Sequence, residues 1–330
     1  MFVPVTDKNH KPLMSTTPSR ARKWIKTGKA TPYWSNQIFC VRLNQEPSDD
    51  KKQKIVMGID TGSKREAFTI KSQGHTYLNI LADAVTWVKD AIKIRRGARQ
   101  VRRQRKTPYR QCRSNRSKRE IAPSIISRWQ LKLRIINRMM RIFPITDFVV
   151  EDIKAETKKG KRRWNKSFSP LEIGKKWFYN ELRKFGNLET RQGYETKELR
   201  DTWLLNKTES KMSLSFDSHN VDSWVLANYL VGGHIKPDNK EIKRMIPIQF
   251  HRRQLHRFKI EKGGERKRYG GTMSLGFKKG SLVKNKKHGI CYIGGNSYGK
   301  LSLHSLKTGK RLCQGAKIEE IKFLTYCSFR

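Results

Sequence analysis

Three acidic residues and one histidine stand where hydrolytic chemistry could use them. Asp60 ends the apolar run Ile55-Val56-Met57-Gly58-Ile59 and is followed by the small-residue turn Thr61-Gly62-Ser63. Glu151 closes a second apolar run, TDFVVE, and Asp222 lies three residues after His219 in SHNVDSW, so those two share one face at the start of a helix. Hydrolysis of a phosphodiester needs an activated water and stabilisation of charge on the attacking and leaving oxygens. Two divalent ions roughly 4 Å apart supply both, and carboxylates are the hard ligands that Mg²⁺ takes, with Mn²⁺ as a substitute. Asp60 would bridge the pair, Glu151 and Asp222 would flank it, and the imidazole of His219 would orient or deprotonate the water. Taken singly, each residue has a plainer use: Asp60 as a turn residue, Asp222 as a first-turn acid favoured by the helix dipole, His219 as a surface histidine. Asp152 points to the face opposite Glu151, and the residue types leave open which of the two is the ligand. An actin-like or sugar-kinase-like ATPase would need a second phosphate loop in a strand-turn-helix setting, which Gly232-Gly233 and the later glycine pairs do not provide.

The elements that would carry these residues follow from the pattern. KIVMGID is apolar on both faces, as a strand in the middle of a sheet should be, and EAFTIKS and HTYLNILADAV are its neighbours, which begins an α/β or α+β layer. IAPSIISRWQLKLRIINRMMRIF is a long amphipathic helix that packs through Ile125, Trp129, Ile136, Met139 and Met140 and feeds the strand ending in Glu151. Ser169-Pro170-Leu171-Glu172 opens a further helix as a capping box, packing through Trp177, Leu182 and Phe185 and stopping at Gly186. Near the amino end, VPVTD reads as a strand, PLMSTTPSRARKWIKTGKA as a turn and small helix, and IFCVRL as a returning strand. Beyond Gly233 the short segments TMSLGF, SLVKN, GICYIGG, KLSLHSL and KFLTYC indicate a small all-β barrel or sandwich.

Charge identifies the partner class. The 73 Lys and Arg against 28 Asp and Glu give a formal +45 over 330 residues, and such an excess repels itself unless it works against a polyanion. That excess also tells against the ATPase. Residues 93–119 hold thirteen basic side chains, ten of them Arg, and no acid. Their helical recurrence predicts an arginine-rich helix laid along a nucleic-acid backbone, with Arg95, Arg96, Arg99, Arg102, Arg103, Arg105, Arg110 and Arg113 on phosphates. From 243 to the end there are 22 basic and 4 acidic residues, so this part also faces nucleic acid. There is no 18-residue apolar run and no signal peptide, and the five scattered cysteines never form a CxxC pair, so we expect a cytoplasmic chain with free thiols and no membrane partner.

MFVPVTDKNHKPLMSTTPSRARKWIKTGKA resembles the PLMP module of the transposon-encoded IscB and IsrB proteins, with Ser15 where that motif has its second Pro. GIDTGS, FVVEDI and SHNVDSW resemble their three RuvC segments, and 93–119 their bridge helix. GYETKELR, FHRRQLHRF and RKRYGGTMSLGFKKGSLV are similar to later blocks of the family. The resemblance implies an α/β, RNase H-like (RuvC) domain split in sequence by an arginine-rich bridge helix, with a small N-terminal PLMP module and a C-terminal all-β module. The parts are then the PLMP-like module (1–52), RuvC segment I (53–92), bridge helix (93–120), RuvC segment II (121–168), a linker helix with RuvC segment III (169–235), and a basic β module that meets a motif flanking the target (236–330). In the last of these, Arg252, Arg253, Arg266, Arg268 and Tyr269 are the implied nucleic-acid contacts.

The IscB type inserts an HNH nuclease between segments II and III. Here the 67 residues 152–218 contain no His and no Cys, so the histidines such a site requires are missing and the chain resembles the HNH-lacking IsrB type. The resemblance implies a monomeric ribonucleoprotein. A guide (omega) RNA pairs with one strand of a double-stranded DNA target, and the Mg²⁺-dependent RuvC site, with Asp60, Glu151 and Asp222 as ligands and His219 assisting, nicks the displaced strand. The alternatives are a catalytically silent RNA- or DNA-binding relative and a guide-independent, structure-selective RuvC-like nuclease.

Overall fold

A computed structural model describes residues 2–35, 37–47, 51–104, 121, 123–152, 170–210, 213–248, 258–259, 264–265 and 273–330. The chain divides into two units, Met1–Ala30 with Arg42–Arg244, and Thr31–Val41 with Met245–Arg330.

The first unit opens with β1 (Val3–Thr6) paired antiparallel to β2 (Pro12–Thr16), then α1 (Pro18–Lys26). PLMST, read from sequence as a turn, is therefore a strand. Proline is tolerated because it occupies the strand's first position. Thr17 caps α1 by accepting from the Arg20 amide at 3.4 Å, with Pro18 at the first helical position. Next in the chain are β3 (Ala30–Ser35) and β4 (Ile38–Leu43), adjacent in their sheet, of which Thr31–Val41 is counted with the second unit.

The layer that positions the site comes next. β5 (Val56–Asp60), β6 (Arg65–Lys71) and β7 (Thr76–Asp83) form an antiparallel meander, as their patterns predict. α2 (Trp87–Gln104) and α3 (Pro123–Met140) carry the chain to β8 (Asp147–Asp152), which pairs parallel with β5. Then come α4 (Pro170–Arg183), β9 (Asn187–Gln192) parallel to β8, α5 (Gly193–Thr202), α6 (Phe216–Val231) and β10 (Ile242–Met245). The sheet order is β10-β7-β6-β5-β8-β9. All five residues of β5 are buried, which is why its sequence is apolar on both faces.

Packing corrects several details. α3 buries Trp129, Leu131, Ile135, Ile136 and Met139, while Ile125 and Met140 are only partly covered. α4 buries Phe178 and Leu182 rather than Trp177 and Phe185, and Phe178 stacks on Trp129 with ring centroids 5.1 Å apart. Gly186 serves close approach: a Cβ there would stand 2.3 Å from the Thr146 carbonyl oxygen. The arginine-rich helix starts at Trp87, earlier than residue 93, and Arg96, Arg99 and Arg103 are exposed on it. Arg95 and Arg102 lie in the same helix, their side chains outside the described residues, as are Arg105, Arg110 and Arg113 entirely.

In the second unit, β11 (Phe258–Lys259) pairs with β12 (Gly264–Glu265), and β13 (Met273–Ser274) with β14 (Phe277–Lys278). The main element is a five-stranded antiparallel sheet of β15 (Ser281–Asn285), β16 (Gly289–Ser297), β17 (Lys300–Ser305), β18 (Arg311–Ala316) and β19 (Ile321–Tyr326), in the order β18-β17-β16-β15-β19. Val283, Cys291, Ile293, Leu301, Leu303 and Ala316 form its core. β18 has no apolar alternation strong enough to announce it in the sequence RLCQGA. Among the described residues, no helix is long and apolar enough to cross a membrane.

Candidate active site

Register sets the site. β5 and β8 run parallel with Gly58 beside Val149 and Ile59 beside Val150, so Asp60 and Glu151 come level one residue further on, at the carboxyl ends of adjacent strands. Alternation puts Asp60 on the face of Gly58, and Glu151 on the face of Val149, which packs with Leu226 and Ala227 of α6. Asp152 faces the other way. Its carboxylate accepts from Tyr179 at 2.9 Å, from Gln192 at 3.0 Å and from Lys175 at 2.8 Å. Burial would raise the Asp152 carboxyl, but those bonds outweigh it and hold it below the usual range. Asp152 is thus a structural acid, and Glu151 shares the site with Asp60. Thr61 ties the two strand ends by donating to the Glu151 carbonyl oxygen at 3.3 Å.

α6 brings the remaining residues over these ends. It seats against β5 because position 58 has no side chain: a Cβ on Gly58 would lie 1.9 Å from the Ser223 carbonyl oxygen and 2.7 Å from the Ala227 nitrogen. Polar contacts fix its register along the sheet. Ser223 Oγ meets Thr69 Oγ1 at 2.8 Å, Asn220 donates to the Ile80 carbonyl at 3.1 Å, and the Trp224 indole donates to the Thr76 hydroxyl of β7 at 3.0 Å. One turn earlier, His219 Nδ1 stands 3.4 Å from Asp60 Oδ2.

Asp222, 1% exposed, is held by cations that sequence reasoning missed. Arg200 of α5 donates to its Oδ1 at 2.6 Å, and the Lys207 ammonium pairs with its Oδ2. Arg200 sits in GYETKELR, but nothing in a chain with 73 basic residues singles out either one. Gly193, at the start of α5, leaves room for Glu151: a Cβ there would be 3.1 Å from Glu151 Oε1. Below the site, buried Glu66 accepts from buried Lys132 at 2.6 Å. Burial, opposed by Lys132 and assisted by the charge of Asp60, pushes the Glu66 carboxyl up to about 7.

Burial also pushes the Glu151 carboxyl up, to about 9, reinforced by the charge of Asp60, a hydrogen bond shared with it and the charge of Asp222, and opposed by Lys207. Such a deficit of positive charge suits a hard cation, so Asp60 and Glu151 fit as oxygen donors to Mg²⁺. Asp222 has both oxygens committed to Arg200 and Lys207, and among the described residues no three His, Cys, Asp or Glu side chains come together as a metal-holding group.

This arrangement has a pH signature. A carboxyl raised from 4.5 to about 9 keeps its proton in the folded state after the unfolded chain has lost it, so the metal-free protein loses stability as pH rises through that interval. The Glu151→Gln variant should have a flatter dependence of Tm on pH between about 5 and 9 and a higher Tm than the parent at pH 8. Parallel melting curves of parent and variant across that range, recorded in a chelator, test this.

The sheet is thus a mixed α/β layer, an antiparallel meander continued by two parallel strands, with acids at the carboxyl ends of the adjacent strands β5 and β8. The chain belongs to the RRXRR protein family, whose model matches residues 3–167 and which is found in IscB/IsrB-like proteins. Among solved structures it is similar to the yeast mitochondrial Holliday junction resolvase Ydc2, at 16% identity over 55% of this chain and 78% of that one, with a TM-score of 0.26. No curated protein matches the chain. Arg252, Arg253, Arg266, Arg268 and Tyr269 lie outside the described residues.

Proposed function

We propose that the protein is an RNA-guided DNA endonuclease that nicks the displaced strand of a matched duplex in a single RuvC-type centre. The observation that carries this reading is the convergence of Asp60, Glu151 and His219 at the ends of β5 and β8, beneath the start of α6. Asp60 orients the His219 imidazole, which is placed to take the proton of an attacking water. Glu151, poor in compensating charge, shares the cation-binding role with Asp60. Mg²⁺, when bound, supplies charge stabilisation and water activation. Asp222, clamped by Arg200 and Lys207, keeps a third carboxylate at the same place. The formal charge of +45 and the exposed Arg96, Arg99 and Arg103 of α2 suit a protein that holds RNA and DNA by their backbones while base pairing reads the sequence. Residues 152–218 hold neither His nor Cys, so we expect one cutting centre and one cut strand.

The test is purification with co-expressed RNA, sequencing of what co-purifies, and incubation with a matched supercoiled plasmid and Mg²⁺. Open circles only when guide and target match, with the nick on the non-target strand, are the expected result. Protection of the target without a nick would replace the reading by a silent binding protein. Equal cutting of branched DNA with and without RNA would replace it by a structure-selective nuclease.

A further inference from the structure

Asp222 is almost wholly buried, with a side-chain exposure of 2%, and its two oxygens are taken by two cations that differ in their freedom to move. Arg200 is on helix α5, its side chain 12% exposed, and its guanidinium bonds Oδ1 at 2.6 Å. Lys207 comes from the segment after α5 that has no helix or strand, its side chain 37% exposed, and its ammonium pairs with Oδ2. A guanidinium held by a helix is a permanent anchor. A lysine on a flexible four-carbon stem beside solvent can swing its head into water, provided another cation takes over the buried carboxylate it leaves. The Lys207 charge also acts on Glu151, so this ammonium serves two carboxylates of the centre at once.

We infer that Lys207 is a resident cation of the metal-free centre: it pairs with Asp222 while no divalent ion is bound and gives up that oxygen when one is, while Arg200 holds Asp222 in place throughout. The inference rests on the proposed metal-dependent site. Unlike that reading, it concerns which group leaves the centre on metal binding. Repulsion among Asp60, Glu151 and Asp222 is what a departing Lys207 would uncover, and a divalent ion is the species able to compensate it.

The test uses the full-length protein with Mn²⁺ as probe. Calorimetry should show Lys207→Met binding Mn²⁺ about tenfold more tightly than the parent, the competitor having been removed. In the parent, acylation of Lys207 by an amine-reactive reagent, followed by mass spectrometry, should rise on adding Mn²⁺, with lysines far from the site unchanged. Arg200→Met should bind Mn²⁺ more weakly than the parent. Unchanged or weaker Mn²⁺ binding by Lys207→Met, or unchanged acylation of Lys207, overturns the inference while leaving the metal site standing. Absence of Mn²⁺ binding by the parent, matched by an equally silent Asp60→Asn variant, overturns the metal site itself.

Discussion

An Asp60→Asn protein is expected to nick a matched target at least about a thousandfold more slowly than the parent, a loss of about 4 kcal/mol of transition-state stabilisation. Asn is nearly isosteric, so the contact with His219 at 3.4 Å and the packing of the β5 end persist while the charge is removed. In the proposed mechanism that charge does two things: it orients the imidazole, and it is half of the oxygen pair offered to a hard cation. In the proposed reading guide RNA is held by basic surfaces away from Asp60, so its binding should stay within about twofold. Single-turnover plasmid nicking and a filter-binding assay on the same preparation separate the two effects. The variant should also melt no lower than the parent at pH 8 without metal, because the Asp60 charge is one of the causes that push Glu151 up. Persistent nicking by a protein that still binds its guide would remove Asp60 from the centre.

Gly58→Ala should be severely damaging for a single added methyl. The added carbon would stand 1.9 Å from the Ser223 carbonyl oxygen and 2.7 Å from the Ala227 nitrogen, and both are backbone atoms of a buried helix. No side chain can rotate away, so α6 must shift off the sheet or β5 must bend. We expect a cost of about 3 kcal/mol or more and a fall in Tm of roughly 6 to 12 °C. Nicking should be lost beyond what the lower stability explains, because moving α6 moves His219 and Asp222 together. Gly97→Ala is the control. Among the described residues nothing outside the helix's own nearby backbone lies within 4 Å of the position where its Cβ would sit, in the interior of α2, so helix propensity alone predicts a gain of up to about 1 kcal/mol. Thermal denaturation of the three proteins decides, and a Gly58→Ala protein as stable as the parent would contradict the packing described for α6.

The parts of this architecture legible in the sequence are those that local patterning dictates. KIVMGID, EAFTIKS and FVVED announce themselves as strands through continuous burial, and the amphipathic run ending at Met140 as a helix. The position of Asp60 at a strand end follows from the same pattern. What local patterning cannot supply is which side chains meet across long stretches of chain. Whether Glu151 or Asp152 faces the centre is settled by the register of β8 on β5 and by the three partners of Asp152. The clamp on Asp222 comes from α5 and the segment after it, where one Arg and one Lys look like any others. Gly186 reads as a helix stop but is required by the Thr146 carbonyl beneath it. PLMST reads as a turn because of its Pro, and becomes a strand because β1 supplies a partner. In each case the outcome was set by a contact with another segment and not by the local pattern of residue types.

The way α6 is pinned has a consequence for how the protein is made. Its polar contacts to the sheet join residues 154, 140 and 148 positions apart, and the groove it fills is cut by a glycine on the first strand of the layer. Contacts so remote in sequence form slowly and last. A nascent chain that has emerged only as far as α5 presents an open apolar trough along β5 and no His219 or Asp222 to complete the centre. The proposed centre therefore cannot be completed until the stretch through Val231 has been made, and the exposed trough is the surface a chaperone would have to guard until then.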